Sequence, residues 1–246
     1  MSSALQVALI SGAFALLATL ISMRSQFQAK LISDRIDALK LAEARRFEKE
    51  KTVAQFREPL ARAAYDLQSR IYNILRQGLI TVYYTHGNER ERLYVVENTV
   101  FLIAQYFAWT EIIRLHIQYL DLGEDEATRR LTHLQDDIHG LFLTDQWPRQ
   151  FRVFAGEQRA IGEKLIRPAS QGPECIGYAA FLEANFGKVA ALIDDLRDDV
   201  RELHRDISEA AQRLVAVQNA LIDLLAYLDP EYLRFPQSRR SKLQIG

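Results

Sequence analysis

The chain is expected to be all-α: a single N-terminal transmembrane helix continuing into a long stalk helix, then an irregular helical bundle. Three observations lead there. Residues 4–23, ALQVALISGAFALLATLISM, are an almost unbroken apolar run. Residues 23–56 contain neither Gly nor Pro. Beyond them apolar residues recur three and four apart, and no stretch shows convincing period-two alternation bounded by turns.

The apolar run is long enough, at ~1.5 Å per helical residue, to cover the ~30 Å hydrocarbon core of a bilayer. Gln6 is its one strongly polar side chain, and the hydroxyls of Ser11, Thr19 and Ser22 can bond back to a carbonyl one turn earlier. A cleaved leader would have a basic start, a shorter apolar segment and a small-x-small cleavage site. No Lys or Arg precedes this run, and Ile21-Ser22-Met23-Arg24 is a poor site. Arg24, Lys30, Arg35 and Lys40 follow it, so the positive-inside rule predicts a plasma (inner) membrane protein with its N-terminus outside and its C-terminal domain in the cytoplasm. The expected divisions are an anchor at 1–23, a juxtamembrane helical stalk at 24–58, a cytoplasmic helical bundle at 59–232 and a poorly ordered basic tail at 233–246. Residues 4–23 would contact membrane lipid. Small residues Ala4, Ala8, Ser11, Gly12, Ala15 and Ser22 recur along the run, a spacing that lets two membrane helices approach and form a homo-oligomer.

The charge balance narrows the function. With 31 basic and 32 acidic residues and a formal charge of -1, the chain lacks the basic excess of a general nucleic-acid binder. Its single cysteine, Cys175, allows no intrachain disulfide, and nothing suggests an oxidising compartment. Hydrophobic residues at 48% suffice for a packed core in addition to the anchor.

In the stalk, Leu31, Ile32, Ile36 and Leu39 form an apolar edge, after which 40–51 is charged almost all round. Too few apolar heptads occur for a sustained coiled coil, leaving short coiled-coil pairing as the expectation. Pro59 marks a break or the first turn of a new helix to about Leu79, buried along Ala64, Leu67, Ile71, Ile74 and Leu75. His86-Gly87-Asn88 is a turn. The central helix runs from Glu89 to Leu120. Its uncharged stretch between Glu97 and Glu111 is too short for a second span and suits a helix buried on nearly all sides. Gly123 ends it, and Glu124, Asp125 and Glu126 suit the start of the next helix, which carries Leu131, Leu134, Ile138 and Leu141. Trp147-Pro148 opens an irregular stretch, Gly156 to Ile166 returns to helix, and Pro168 to Gly177 is the clearest loop. Helices follow at Tyr178 to Phe186, Leu192 to Arg205 and Ser208 to Leu228, the last stopped by Asp229-Pro230. Arg239, Arg240 and Lys242 make the tail basic.

Chemistry-bearing patterns are sparse. His133, Asp136, Asp137 and His139 share a short helix, with His133 and Asp137 at i,i+4. A helical di-metal site needs carboxylates from four helices and paired Glu-x-x-His segments, and Asp136-x-x-His139 approximates only half of one pair. Exposed charge is therefore the expectation, and no metal, cofactor or catalytic residue is assigned. Cys175 sits in a Pro/Gly loop with no partnering histidine identified. No phosphate-binding G-x-x-x-x-G-K-[ST] or G-x-G-x-x-G pattern occurs. The least ordinary stretch is FRVFAGEQRAIGE, 151–163. Its Glu157, Arg159 and Glu163 form a candidate partner or ligand contact, with Gly156 and Gly162 permitting close approach. The same residues also read as an ordinary helix start with an Arg159–Glu163 pair at i,i+4.

The runs ENTVFLIAQYFAWTEIIR, Glu97 to Arg114, and GEQRAIGE, Gly156 to Glu163, resemble those of uncharacterised bacterial single-pass membrane proteins with an N-terminal anchor and a helical cytosolic body. The resemblance implies no activity. The leading expectation is an interaction or scaffold module at the cytoplasmic face, docking a cytoplasmic protein partner or itself. The alternatives are a self-assembling membrane effector that perturbs the bilayer and a metal- or ligand-dependent enzyme.

Overall fold

The computed structural model describes the backbone of residues 3–120, 126–170 and 172–244, and side chains throughout these ranges except at 3–18, 21, 45–46, 48–54, 116–120 and 127–128. The protein is helical almost throughout, as its apolar spacing requires. It divides into two compact units, Met1–Val53 and Ala54–Gly246.

The first unit belongs to α1, Ser3–Arg76. Every side chain described in it is exposed, including the large apolar residues Leu20, Met23, Phe27, Ile32, Ile36 and Leu39. Among the described residues no helix is long and apolar enough to cross a membrane. Most of the predicted anchor, with Ala8, Ser11, Gly12 and Ala15 of its small-residue face, lies outside the described side chains, and Ser22 is exposed.

In the second unit the last turns of α1 bury Leu60, Ala64, Leu67, Ile71 and Ile74. Pro59 lies inside α1, so the expected helix break there is not seen. A proline removes one helical N–H donor and crowds the carbonyl four residues back, but Leu60, Ala63 and Ala64 seat this segment in the core immediately after it. A π-helical turn follows, Ile80–Thr85. The central helix α2 spans Glu89–Leu120, matching the expected bounds. It starts with a reciprocal cap: Glu91 N–H donates to Asn88 Oδ1 at 3.0 Å, and Asn88 N–H donates to Glu91 Oε2 at 2.9 Å. From Val95 to Ala108 it is buried on nearly every face, so it needs neighbours all round. They are α4, Ala155–Lys164, and α6, Ala190–Glu202, with the short α5, Tyr178–Glu183. Between α2 and α4, a Cβ on Gly162 would lie 2.7 Å from the Phe107 carbonyl oxygen, so only glycine lets the two backbones come this close. A bidentate ion pair ties α2 to α6, Arg197 to Glu97 at 2.8 Å.

Helix α3, Glu126–Leu143, packs on α7, Ser208–Leu228. The segment between α3 and α4 is organised by Arg213, which is wholly buried. Its guanidinium donates to the carbonyls of Leu141, Phe142, Thr144, Pro148 and Gln150 at 2.5–3.2 Å. Helix α4 stops at Lys164, short of the expected Ile166, which instead opens a two-stranded antiparallel hairpin: β1 (Ile166–Arg167) precedes the expected 168–177 loop and β2 (Glu174–Cys175) falls inside it, in register Ile166 to Cys175.

The tail differs from the expectation of poor order. Phe235 and Leu243 are buried, and Arg240 pairs with Asp229 while donating to the carbonyls of Leu225, Asp229 and Phe235. The Phe235 ring stacks on Tyr65 at 4.5 Å. Gln218 and Asn219 on α7 hold the backbone of Ser241 and Leu243, and Gln68 on α1 holds that of Arg239. Burial works to raise the Asp229 pKa, but the N–H groups of Phe235, Arg234 and Leu233 and the Arg240 guanidinium hold it below the usual carboxylate value.

Candidate functional site

Helices α2, α3 and α4 line a cavity of about 270 Å³ that is open to solvent at Thr132, Asp136 and Arg159. Its α3 wall presents Thr132, Gln135, Asp136 and His139, spaced so that one helix face carries all four. The α2 wall presents Tyr106, Phe107 and Thr110, with Glu111 and Arg114 a turn further on. Gln158 and Arg159 come from α4. Gln158 locks this arrangement: its Nε2 donates to the carbonyls of His139, at 3.1 Å, and Val153, at 2.9 Å, joining α3 to the start of α4.

Two polar atoms here stand out. Tyr106 Oη and Gln135 Nε2 are both closed off from solvent with no partner at ordinary hydrogen-bond distance, although the Thr110 side chain acts on the Tyr106 phenol as a hydrogen-bonding group. The nearby Thr110 hydroxyl is committed to the Tyr106 backbone carbonyl at 2.9 Å.

The charges around the cavity largely cancel. Glu111, only 3% exposed, is held by Arg114 through a two-pronged contact at 2.5 and 2.8 Å. Glu163 adds a second negative charge facing Arg114, and the Glu111 hydrogen bond raises the arginine's pKa further. His139 is shifted downward, first by desolvation and then by the charge of Arg159, with Asp136 opposing. Its imidazole is therefore neutral at neutral pH. Burial drives the Tyr106 phenol pKa upward against an opposing side-chain hydrogen bond with Thr110, so the hydroxyl keeps its proton. The cavity thus offers neutral donors and acceptors on aromatic walls. Phe107 meets Phe142 edge-on at 5.1 Å.

Of the residues singled out in the sequence, Asp136, His139 and Arg159 meet at this cavity, and Glu163 faces its Arg114. His133 and Asp137 are exposed and do not line it. Glu157 instead caps α4, accepting the Phe154 N–H at 2.8 Å. The expected Arg159–Glu163 ion pair is not among the ion pairs of the described residues. Among the described residues no group of three or more His, Cys, Asp or Glu is placed to share a metal ion. Cys175 is half-buried, its thiol pushed up to about 12 mainly by burial, so it is a poor nucleophile. Sequence reasoning missed Tyr106, Thr110, Glu111, Arg114, Gln135 and Gln158. The visible signal was the Thr132, Gln135, Asp136, His139 spacing.

The fold and site together define a mostly helical protein with a small cleft between α2, α3 and α4. No known protein family matches the chain, and no curated protein or solved structure is significantly similar to it.

Proposed function

We propose that the protein is a single-pass, membrane-anchored helical module at the cytoplasmic face of the plasma (inner) membrane, paired with a second copy of itself through α1. The observation that carries this reading is the exposed apolar surface of α1 between Leu20 and Phe47. At about 3.6 residues per turn, Leu20, Met23, Phe27 and Leu31 share one face, and Ile32, Ile36, Leu39 and Phe47 share another. Leu20 and Met23 of the first face belong to the apolar run of residues 4–23 and suit lipid, with Arg24 and Lys30 placed for anionic head groups. The second stands beyond the basic residues that would mark the membrane surface. Anchoring two chains in one bilayer holds them parallel and at equal height, so the same residues meet and the effective concentration is high.

The test uses the full chain in membranes, with Cys175→Ser as background. Ile32→Cys, Ile36→Cys and Leu39→Cys are expected to form disulfide-linked dimers on mild oxidation, whereas Asp34→Cys and Asp37→Cys, on the opposite side of the helix, are not. Recovery of the full chain in the soluble fraction overturns the anchor. Equal crosslinking on both sides, or none, overturns the pairing.

A further inference from the structure

Residues 241–244 form no helix or strand, and among the described residues their main chain bonds only to side chains. Asn219 gives Leu243 a donor and an acceptor together: its Nδ2 donates to the Leu243 carbonyl at 2.9 Å and its Oδ1 accepts the Leu243 N–H at 2.8 Å, the pair of bonds a neighbouring β-strand would supply. Gln218 donates to the Ser241 carbonyl at 3.0 Å, and Arg76 to that of Gln244 at 2.8 Å. Of the four side chains only Leu243 is buried, and Lys242 reaches Asp223 at 2.6 Å on the exposed rim. One anchored side chain on a row of main-chain bonds is how a receptor grips an extended peptide.

The helices are equipped for that task. Gln68 and Gln218 are 1% and 0% exposed and bond to each other at 3.3 Å, on helices whose other buried positions include Leu67, Ile71, Leu214 and Leu221. Apolar side chains would be buried there at lower cost. The carboxamides add recognition of main-chain groups, which any sequence presents. Selectivity comes from the buried position of Leu243 and from Asp223, four residues after Asn219 on the same face of α7. Arg240, fixed on Asp229 and on the carbonyls of Leu225, Asp229 and Phe235, stays in place when the four residues after it leave. The groove can therefore empty without the clasp opening.

We propose that this groove between α1 and α7 receives an extended segment of a partner protein in which a basic residue precedes a leucine, and that residues 241–244 are its resident competitor. A tethered occupant acts at an effective concentration on the order of millimolar, so the partner's segment enters only against that competition. The site does not depend on pairing through α1.

The probe is a fluorescein-labelled hexapeptide with the sequence of residues 239–244, RRSKLQ, followed by fluorescence anisotropy with the full chain in detergent micelles. The double substitution Lys242→Glu, Leu243→Asp expels the chain's own segment. This opened chain is expected to keep its helical circular dichroism and a melting temperature close to that of the native chain, and to bind one peptide saturably. The native chain should bind the peptide at least about ten-fold more weakly, because its own segment competes. Adding Asn219→Leu to the opened chain should weaken binding about ten-fold through loss of two main-chain bonds. A peptide RRAKLA should bind like RRSKLQ, whereas RRSKDQ should lose about ten-fold or more with the buried leucine. Unfolding of the opened chain would make residues 241–244 a structural part of the body and overturn the proposal. So would absence of saturable binding, equal binding by native and opened chains, or indifference to Asn219→Leu. If tagged native chain captures the opened chain, and loses it when its own segment carries the same double substitution, the groove belongs to a second copy and the partner is overturned.

Discussion

Arg213 shows how one side chain can organise a segment that has no regular structure. Five main-chain carbonyls between Leu141 and Gln150 accept its N–H groups, and the Trp147 ring lies 5.6 Å from the guanidinium. No carboxylate is among these partners, so the charge is solvated by peptide dipoles. Desolvation lowers the arginine's pKa, helped by Arg152 and opposed by Asp199. The same stretch holds Phe151 at φ 57°, a left-handed conformation costly for an aromatic residue. Its N–H is fixed on Asp199 at 2.7 Å, and Gln150 is fixed on the Asp199 carbonyl at the same distance. Arg213→Met keeps comparable length and removes every donor. It is expected to destabilise the fold by about 3–5 kcal/mol, because the carbonyls are left buried and unpaired. Urea unfolding monitored by Trp fluorescence measures this, and a loss under ~1 kcal/mol would mean water replaces the guanidinium.

At the scale of elements, the contact of α2 with α4 determines whether the cavity exists. Gly162→Ala places a methyl 2.7 Å from the Phe107 oxygen and 2.9 Å from its carbon, and a backbone carbonyl cannot rotate away as a side chain would. An overpacking cost of about 1–3 kcal/mol is expected, with α4 displaced. Gly156→Ala on the same helix has open space around it and should be neutral or slightly stabilising through helix propensity. Comparing the two melting temperatures separates close approach from propensity. Much of this level was legible in the sequence. The bounds of α2 and α7 followed from turn residues and apolar spacing, and Gly162 was marked as a close-approach position. The cavity was only half legible. Asp136, His139 and Arg159 drew attention because they are charged or titratable. Its opposite wall was hidden inside an aromatic stretch that reads as plain core, and Glu111 with Arg114 reads as a surface pair. Pro59 misled because the packing of Leu60 and Ala64 outweighs a local helix-breaking preference.

At the scale of the whole molecule, the tail was the least legible part. Arg239, Arg240 and Lys242 look solvated in the sequence because nothing local pairs with them. In the structure Arg240 meets Asp229 eleven residues back, and Lys242 meets Asp223 at 2.6 Å. Phe235 fills space beside Tyr65, and the Arg62 guanidinium lies over its ring at 4.7 Å. Ending the chain at Arg234 should therefore cost about 3–5 kcal/mol, combining the buried Phe235 ring with the lost Arg240 network. Chemical denaturation of the shortened chain checks this, and an unchanged midpoint would show the tail to be dispensable.

The clasp formed by Phe235, Arg240 and Leu243 also bears on how the protein is made. The residues that close the core between α1 and α7 are made well after both helices, and long after their partners Gln68 and Tyr65. During translation at roughly 5–20 residues per second, the core beside Tyr65 stays open until residues 235–243 have left the ribosome. The nascent protein therefore passes the interval between the emergence of α1 and that of this segment with the apolar seam uncovered, within reach of a chaperone or a neighbouring nascent chain.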